Sequence, residues 1–425
     1  MKMSKAPRLG IGPARNRAKP IIVFVIAFLM VLGIVQRTSA QITRLLGTAS
    51  GTPPTGTCAD ITAYGGSPAN PDNRAALAAA LNASSGSGRC VCFPPGQFAF
   101  AANFKFVLPN GSASITLTGA GADVTQLYWP AGGGLTIDYV GAENSVHLRD
   151  MSLTTGSVGL GSAVVLNQTN GNVGVADNAL SDLFDITIRG ADGYSQNDYW
   201  ERAVEINQIS NVNLVGLVIS GPGGVAYSTK GIGVVVEGST NNPAVVFNVT
   251  GATFDYLSKG IVYGQQAQGL TVSQSNFVGD DYGIYVPPDI SGLDQLTVTG
   301  SQFNCQTAGI YVGSSLSNTL FSANLFIVPN TGTGIHLQQA YLYSATGNSF
   351  NIGSRLKGNT HPIGIQVGST AGGGTITGNL FDNMRTAIVL DRASTGANVQ
   401  SNEYSNDSTM VKNLGTGNTV GGGTP

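Results

Sequence analysis

Charged side chains make up 10% of the 425 residues, against roughly a quarter in ordinary globular chains. Cysteine (four) and histidine (three) are rarer still. Their spacing matches no familiar zinc arrangement, and the chain has no phosphate loop, no nucleophile elbow and no metal-spaced His/Cys cluster. Helical periodicity is missing from the whole second half, where no stretch repeats apolar residues at three- and four-residue intervals. The low charge does not indicate disorder, because 42% of the residues are apolar and they recur regularly.

What the chain has instead is glycine, 59 residues of it, with much Asn, Ser and Thr. These are turn formers. Between the turns stand seven aromatic markers: Phe254, Phe277, Phe303, Phe326, Phe350, Phe381 and Tyr404, spaced by 23, 26, 23, 24, 31 and 23 residues. Each of the first six is followed, usually six residues on, by a small residue and Ile, as in Gly260-Ile261, Gly283-Ile284, Gly309-Ile310, Gly334-Ile335, Gly364-Ile365 and Ala387-Ile388. Short alternating stretches such as Leu270-Thr271-Val272-Ser273 fill the intervals. A period of this length, made of short strands and tight turns, predicts a parallel β-helix. Counting from Ile115 gives about ten rungs, a rod on the order of 50 Å at roughly 4.8 Å per rung.

The N-terminus carries Lys2, Lys5, Arg8, Arg15, Arg17 and Lys19, then fifteen apolar residues from Ile21 to Val35, then Thr38-Ser39-Ala40. Basic, apolar and small segments in that order predict a secretory signal peptide over residues 1–40, the one expected contact with a membrane, and hence export. Seven of the 21 basic residues and none of the 23 acids lie there, leaving 14 against 23, a formal charge of about −9. Such a surface argues against nucleic acid, whose binding relies on basic patches. Residues 41–57 read as a linker.

Residues 58–112 read as an N-terminal cap. Asn73 to Leu81 is an Ala/Leu segment with good helix propensity, and a solenoid needs its first rung covered. Cys58 is expected to pair with Cys90 or Cys92, since both flank this unit and export permits a disulfide. Cys90 and Cys92, two apart in a strand, share a face. Cys305 reads as a small buried filler. Asp60-Ile61-Thr62-Ala63-Tyr64-Gly65, the Ala/Leu helix, and Phe93-Pro94-Pro95-Gly96-Gln97-Phe98 together resemble the N-terminal region of the pectate-lyase-like superfamily, in its rhamnogalacturonase- and epimerase-like branch. Ile115 to Gly121 and Thr125 to Tyr128 are similar to that branch's first rungs. The resemblance covers residues 58–130 by motif. It implies an all-β, right-handed parallel β-helix through residue 414 with an N-terminal capping helix, and it leaves monomer and trimer both open. Residues 415–425 read as a flexible tail.

Reaction must be argued from the site. The turn between each Phe and its Gly-Ile is long at 189–202, 220–230 and 351–363, and such insertions project on one face. The first holds Tyr199, Trp200, Glu201 and Arg202, and the last holds Arg355, Lys357 and His361. Between them lie Lys230, Asp255, Lys259, Asp280 and Asp281. Strand alternation places Glu205, Gly233, Val262, Tyr285, Tyr311, His336 and Gln366 in one outward column, so Tyr285, Tyr311 and His336 are expected to form a ladder suited to sugar rings. Gly279-Asp280-Asp281 resembles the Gly-Asp-Asp element of polygalacturonases, with Asp255 near where their preceding aspartate lies. Gln306-Thr307-Ala308-Gly309 stands where their Gly-His-Gly follows, and no Arg-Ile-Lys element occurs.

These features predict an exported protein acting on an acidic polysaccharide, a lyase or a glycoside hydrolase. Asp255, Asp280, Asp281, Lys259 and Lys230 are the candidate catalytic residues. Trp200, Tyr199, Glu201, Arg202, Tyr285, Tyr311, His336 and His361 are the candidate sugar-binding residues. A lyase would use the three aspartates to hold Ca²⁺. The alternatives are a non-catalytic carbohydrate-binding or attachment protein and a uronan epimerase. Asn348, Asn379 and Asn402, each two before an aromatic marker, are expected to form a hydrogen-bonded turn ladder.

Overall fold

The computed structural model describes residues 58–421, except 85–87, 172–177, 225, 330 and 354–360. The expected signal segment and linker, with Arg355 and Lys357, lie outside the described residues. Among the described residues, no helix is long and apolar enough to cross a membrane.

Every strand pairing is parallel and joins a strand to its equivalent one turn later. The chain therefore winds as a right-handed parallel β-helix. Its three sheets run the length of the rod. The first includes Ser114–Thr118, Ala267–Ser273 and Ala340–Thr346, the second Thr253–Asp255 and Leu325–Ile327, and the third Lys259–Tyr263 and Thr333–Leu337. Two strands, Asn276–Val286 and Gln302–Val312, run without a break from the second sheet into the third.

The second and third sheets each hold twelve strands, so there are twelve turns rather than about ten. Two expected boundaries move. Strands Gly96–Ala99 and Phe104–Leu108, expected in the cap, are already rung strands paired with Thr125–Trp129 and Leu135–Tyr139. At the other end, Thr419 and Val420, expected in a flexible tail, pair with Asn398 and Val399. Helix Arg74–Ala83 buries Ala76, Leu77, Ala80 and Leu81 at the N-terminal end.

The Phe and Gly-Ile periods have one cause. Phe254 through Tyr404 stack inside the rod with centroids 4.7 to 5.6 Å apart and nearly parallel planes. Each glycine lies against the ring of the following rung. A Cβ on Gly260 would sit 2.5 Å from Phe277, and one on Gly283 would sit 2.6 Å from Phe303 and 2.6 Å from the Gly309 carbonyl. Glycine is thus the residue that lets a six-carbon ring stack at this spacing.

At the corner between the first and second sheets, Asn324, Asn348, Asn379 and Asn402 are buried and linked Nδ2 to Oδ1 at 2.9 to 3.0 Å. Asn324 extends the expected ladder by a rung, and Ser301 and Ser275 continue it through backbone amides.

Cys58 is disulfide-bonded to Cys90, which resolves the two pairings open from sequence. Cys92 stays a half-buried thiol, pushed up by burial and by Asp60. Cys305 is buried. The disulfide closes a loop of sequence separation 32, worth about 3–4 kcal/mol by loop-closure entropy. Cys58→Ser is therefore expected to speed amide exchange in residues 59–83 while leaving the rungs beyond 250 unchanged.

Candidate functional site

The long turns at 189–202 and 220–230 lie at the corner between the second and third sheets, and residues 354–360 of the third lie outside the described residues. The first two differ in what they do there. In the first, Trp200, two residues before strand Arg202–Asn207, is 3% exposed and packs edge-on against Trp129 at 5.8 Å. Trp200 is a core residue and offers no face to a sugar. Tyr199 is half-buried over Gly159, and Glu201 is exposed. Arg202 pairs with Glu205 at 3.1 Å, and Glu205 also accepts from the Ser162 hydroxyl. Arg202 is in register with Ile232, which is in register with Lys259, so it lies two rungs from the central residues, roughly 10 Å.

The second long turn folds down over the corner. The Ser228 amide donates to the Gly279 carbonyl at 2.9 Å, and the Tyr227 hydroxyl donates to Asn304 Oδ1 at 2.9 Å. This turn covers Gly279-Asp280-Asp281, where the strand bulges. Gly279 is left-handed (φ +73) with the Tyr256 ring where a Cβ would go, so that position demands glycine.

Asp280 is fully buried. Its Oδ1 accepts the Leu257 amide at 2.7 Å, and Oδ2 has no partner. Burial holds its carboxyl well above the usual range, a shift opposed by the Leu257 amide and reinforced by Asp255. It cannot touch a substrate in this arrangement. Asp255 is half-buried at its strand end, and burial raises its carboxyl too. Asp281 is half-buried and accepts from the Thr307 hydroxyl at 2.5 Å. Lys230 is exposed beyond the covering turn. The three aspartates do not converge as ligands. Among the described residues, the one group of three His, Cys, Asp or Glu donors within 4.8 Å of one another is Cys58, Cys90 and Cys92. A Ca²⁺ site built from Asp255, Asp280 and Asp281 is not supported.

Because the native carboxyl of Asp280 is raised, its contribution to stability is present below the ordinary carboxylate pKa. That contribution is lost as pH rises through the native value. Asp407, raised to about 6 by burial, acts with the same sign elsewhere. Asp280→Asn is expected to flatten the fall in urea midpoint between about pH 4 and about pH 7 relative to the parent chain. An unchanged slope would show that Asp280 ionises freely.

The outward column on the third sheet reads Glu205, Val235, Val262, Tyr285, Tyr311, His336 and Gln366. Val235 takes the place expected for Gly233, which lies instead against Phe254. Tyr285 and Tyr311 stack at 5.3 Å, and His336 meets Tyr311 edge-on at 5.1 Å. Burial lowers the His336 imidazole, favouring its neutral form. Tyr282, absent from the expected set, joins them at 4.9 Å from Tyr285 and 5.8 Å from Tyr311. Lys259 Nζ lies 5.0 Å from the Tyr285 centroid and 6.0 Å from that of Tyr282. His361 is exposed just before strand Ile363–Val367, outside the cluster.

An all-parallel rod with its polar irregularities at one corner has the architecture of the pectate-lyase-like right-handed β-helix proteins. The model of a family described as NosD, periplasmic copper-binding protein, matches residues 215–422. That segment holds no group of three clustered metal donors among its described residues. No curated protein matches the chain. Three solved structures share the fold. Bacteriophage phi29 gene product 12 has a TM-score of 0.56 at 12% identity over 89% of this chain, which spans 59% of that protein. DFA-IIIase from Arthrobacter chlorophenolicus A6 has 0.55 at 14%, covering 82% and 94% of the two chains. PfbA, a surface adhesin of Streptococcus pneumoniae, has 0.52 at 12%, covering 83% and 91%.

Proposed function

We propose that the chain is an exported polysaccharide-active protein that binds an acidic polysaccharide along the outer face of the third sheet. The observation that carries this reading is the cluster of Tyr282, Tyr285, Tyr311 and His336 with Lys259 beside it. Phe254 through Tyr404 stack in the interior, and the exposed Tyr194 and Tyr341 lie outside this cluster. Here rings on three adjacent rungs face outward, half-buried. Tyr285 and Tyr311 stack on each other and so offer their edges and hydroxyls outward, and tyrosine hydroxyls suit the polar edges of pyranoses. Rungs repeat at roughly 4.8 Å and a sugar unit spans about one, so a chain laid along the rod axis meets a new ring at each step. Lys259 supplies the cation that a uronate carboxylate requires.

Asp255 and Asp281 border this face and are the candidates for proton transfer. Asp255, whose carboxyl is raised by burial, is suited to donate to a glycosidic oxygen, and Asp281 to act as base. Asp280 then positions the corner by holding the Leu257 amide. The fold-mate DFA-IIIase was crystallised in complex with GF2. A non-catalytic attachment role is the second reading, and the tie between Asp281 and Thr307 favours it, because that bond occupies the carboxylate.

A panel of acidic and neutral polysaccharides, followed for reducing ends and unsaturated-uronide absorbance together, separates these readings. Reducing ends without absorbance, abolished by Asp281→Ala, are expected. Absorbance growth would instead indicate β-elimination with Lys259 as the neutralising or abstracting group. Binding with neither signal would leave the attachment role. No binding to any member would sink the proposal.

A further inference from the structure

The three sulfur atoms at the N-terminal cap point to a metal site that lies outside the segment resembling a copper-binding family. Cys58, Cys90 and Cys92 place their Sγ atoms within 4.8 Å of one another, and all three are half-buried. The Cys58–Cys90 disulfide joins two of these sulfurs, and backbone pairing beside it holds the segment in place. Ala59 is in register with Val91, and Asp60 with Cys92, so Cys58 faces the strand edge from which Cys90 and Cys92 both project. Alternation puts those two on one face because they are two residues apart. A disulfide needs two sulfurs, and Cys92 remains a half-buried free thiol beside it.

We infer that the reduced form of this cluster binds a single soft monovalent metal, Cu(I), through three thiolates, and that the Cys58–Cys90 disulfide is its metal-free, oxidised state. Three sulfurs at about 2.3 Å from a central metal stand about 4 Å apart, within the span observed. Sulfur ligands select soft ions, of which Cu(I) accepts trigonal coordination, whereas zinc in closed sites takes four ligands. The nearest oxygen donor in sequence is Asp60, whose Oδ1 already accepts from the Thr62 amide and hydroxyl. Opening the site takes two electrons and two protons from a dithiol reductant, which becomes its own disulfide while Cys58 and Cys90 become thiols. Metal binding then forms three S–Cu bonds and releases the thiol protons to solvent.

The test titrates the mature chain with Cu(I) against a chromophoric Cu(I) chelator, before and after reduction by dithiothreitol and its removal under anaerobic conditions. The expected result is one Cu(I) per reduced chain with a near-ultraviolet thiolate-to-copper band, and none retained by the oxidised chain. Cys92→Ser, which keeps the disulfide pair, should lose the band and most of the affinity. Cys305→Ser, far along the rod, should change neither. Copper should also slow amide exchange in helix Arg74–Ala83 of the reduced chain. That readout separates binding at the cap from adventitious binding elsewhere. Equal affinity in the Cys92→Ser chain, equal binding by the oxidised chain, or tighter binding of Zn²⁺ than Cu(I) by the reduced chain would overturn the assignment.

Discussion

Phe303→Ala should cost the fold about 3–5 kcal/mol, the usual range for removing a buried aromatic ring. Phe303 is 1% exposed, with Phe277 4.7 Å on one side and Phe326 4.8 Å on the other. Truncation leaves a ring-sized void in the middle of a stack that cannot close, because strand pairing fixes the spacing of the rungs on either side. Gly283→Ala attacks the same contact from the other side. The new methyl meets the Phe303 ring and the Gly309 carbonyl, and the carbonyl belongs to a paired strand with no room to retreat. Phe303→Leu should be milder than either. In a solenoid each rung touches only its neighbours, so the damage is expected as an earlier transition or a local opening around residues 277–335. Hydrogen exchange and urea melts read both. A cost under about 1 kcal/mol for Phe303→Ala would mean that the stack is incidental to stability.

The second large effect is on binding. Removing both Tyr285 and Tyr311 should weaken binding of the recognised polysaccharide by about 1–3 kcal/mol, roughly 5- to 150-fold. Both rings sit outside the core on strands whose inward residues, Ile284 and Ile310, are untouched, so the melting behaviour should stay near that of the parent. Lys259→Ala should weaken acidic polysaccharides more than neutral ones and should reduce the salt dependence. A double variant that binds as tightly as the parent chain would move the site elsewhere on the rod.

The second half of the rod was legible because its repeat is a packing requirement. Wherever a ring stacks inside, the preceding rung's glycine has to make room, and the two residues recur together. The early rungs lack that device: Ile219, Ile188 and Leu153 hold the positions that Phe254 and its successors hold later. That hid the turns before residue 113 and kept the count near ten. Trp200 reads as a surface ring because its sequence neighbours are polar, while its own side chain turns into the core against Trp129. Gly233 reads two residues out of register because the long turn before it hides the start of the strand. Tyr282 escaped notice because alternation fails at Gly283, where two successive residues face the interior.

The acidic corner shows a different limit. Gly279-Asp280-Asp281 reads from sequence as an exposed turn with two free carboxylates. A segment fifty residues earlier in the chain covers it, and Asp280 becomes an enclosed acceptor for the Leu257 amide. Only the pairing of distant segments reveals this, and it reduces the resemblance to the polygalacturonase element to Asp255 and Asp281. The glycine of that element is explained by backbone conformation alone.

The most direct measurement is amide hydrogen exchange on the protein with and without a saturating polysaccharide taken from the binding screen. Protection is expected in segments 259–263, 282–286, 308–312 and 333–337, which carry Lys259 and the outward rings. The first-sheet strands such as 316–322 and 340–346, on another wall of the rod, should show none. Protection confined to the first sheet or to the cap, with the third sheet unchanged, would contradict the assignment of the saccharide face.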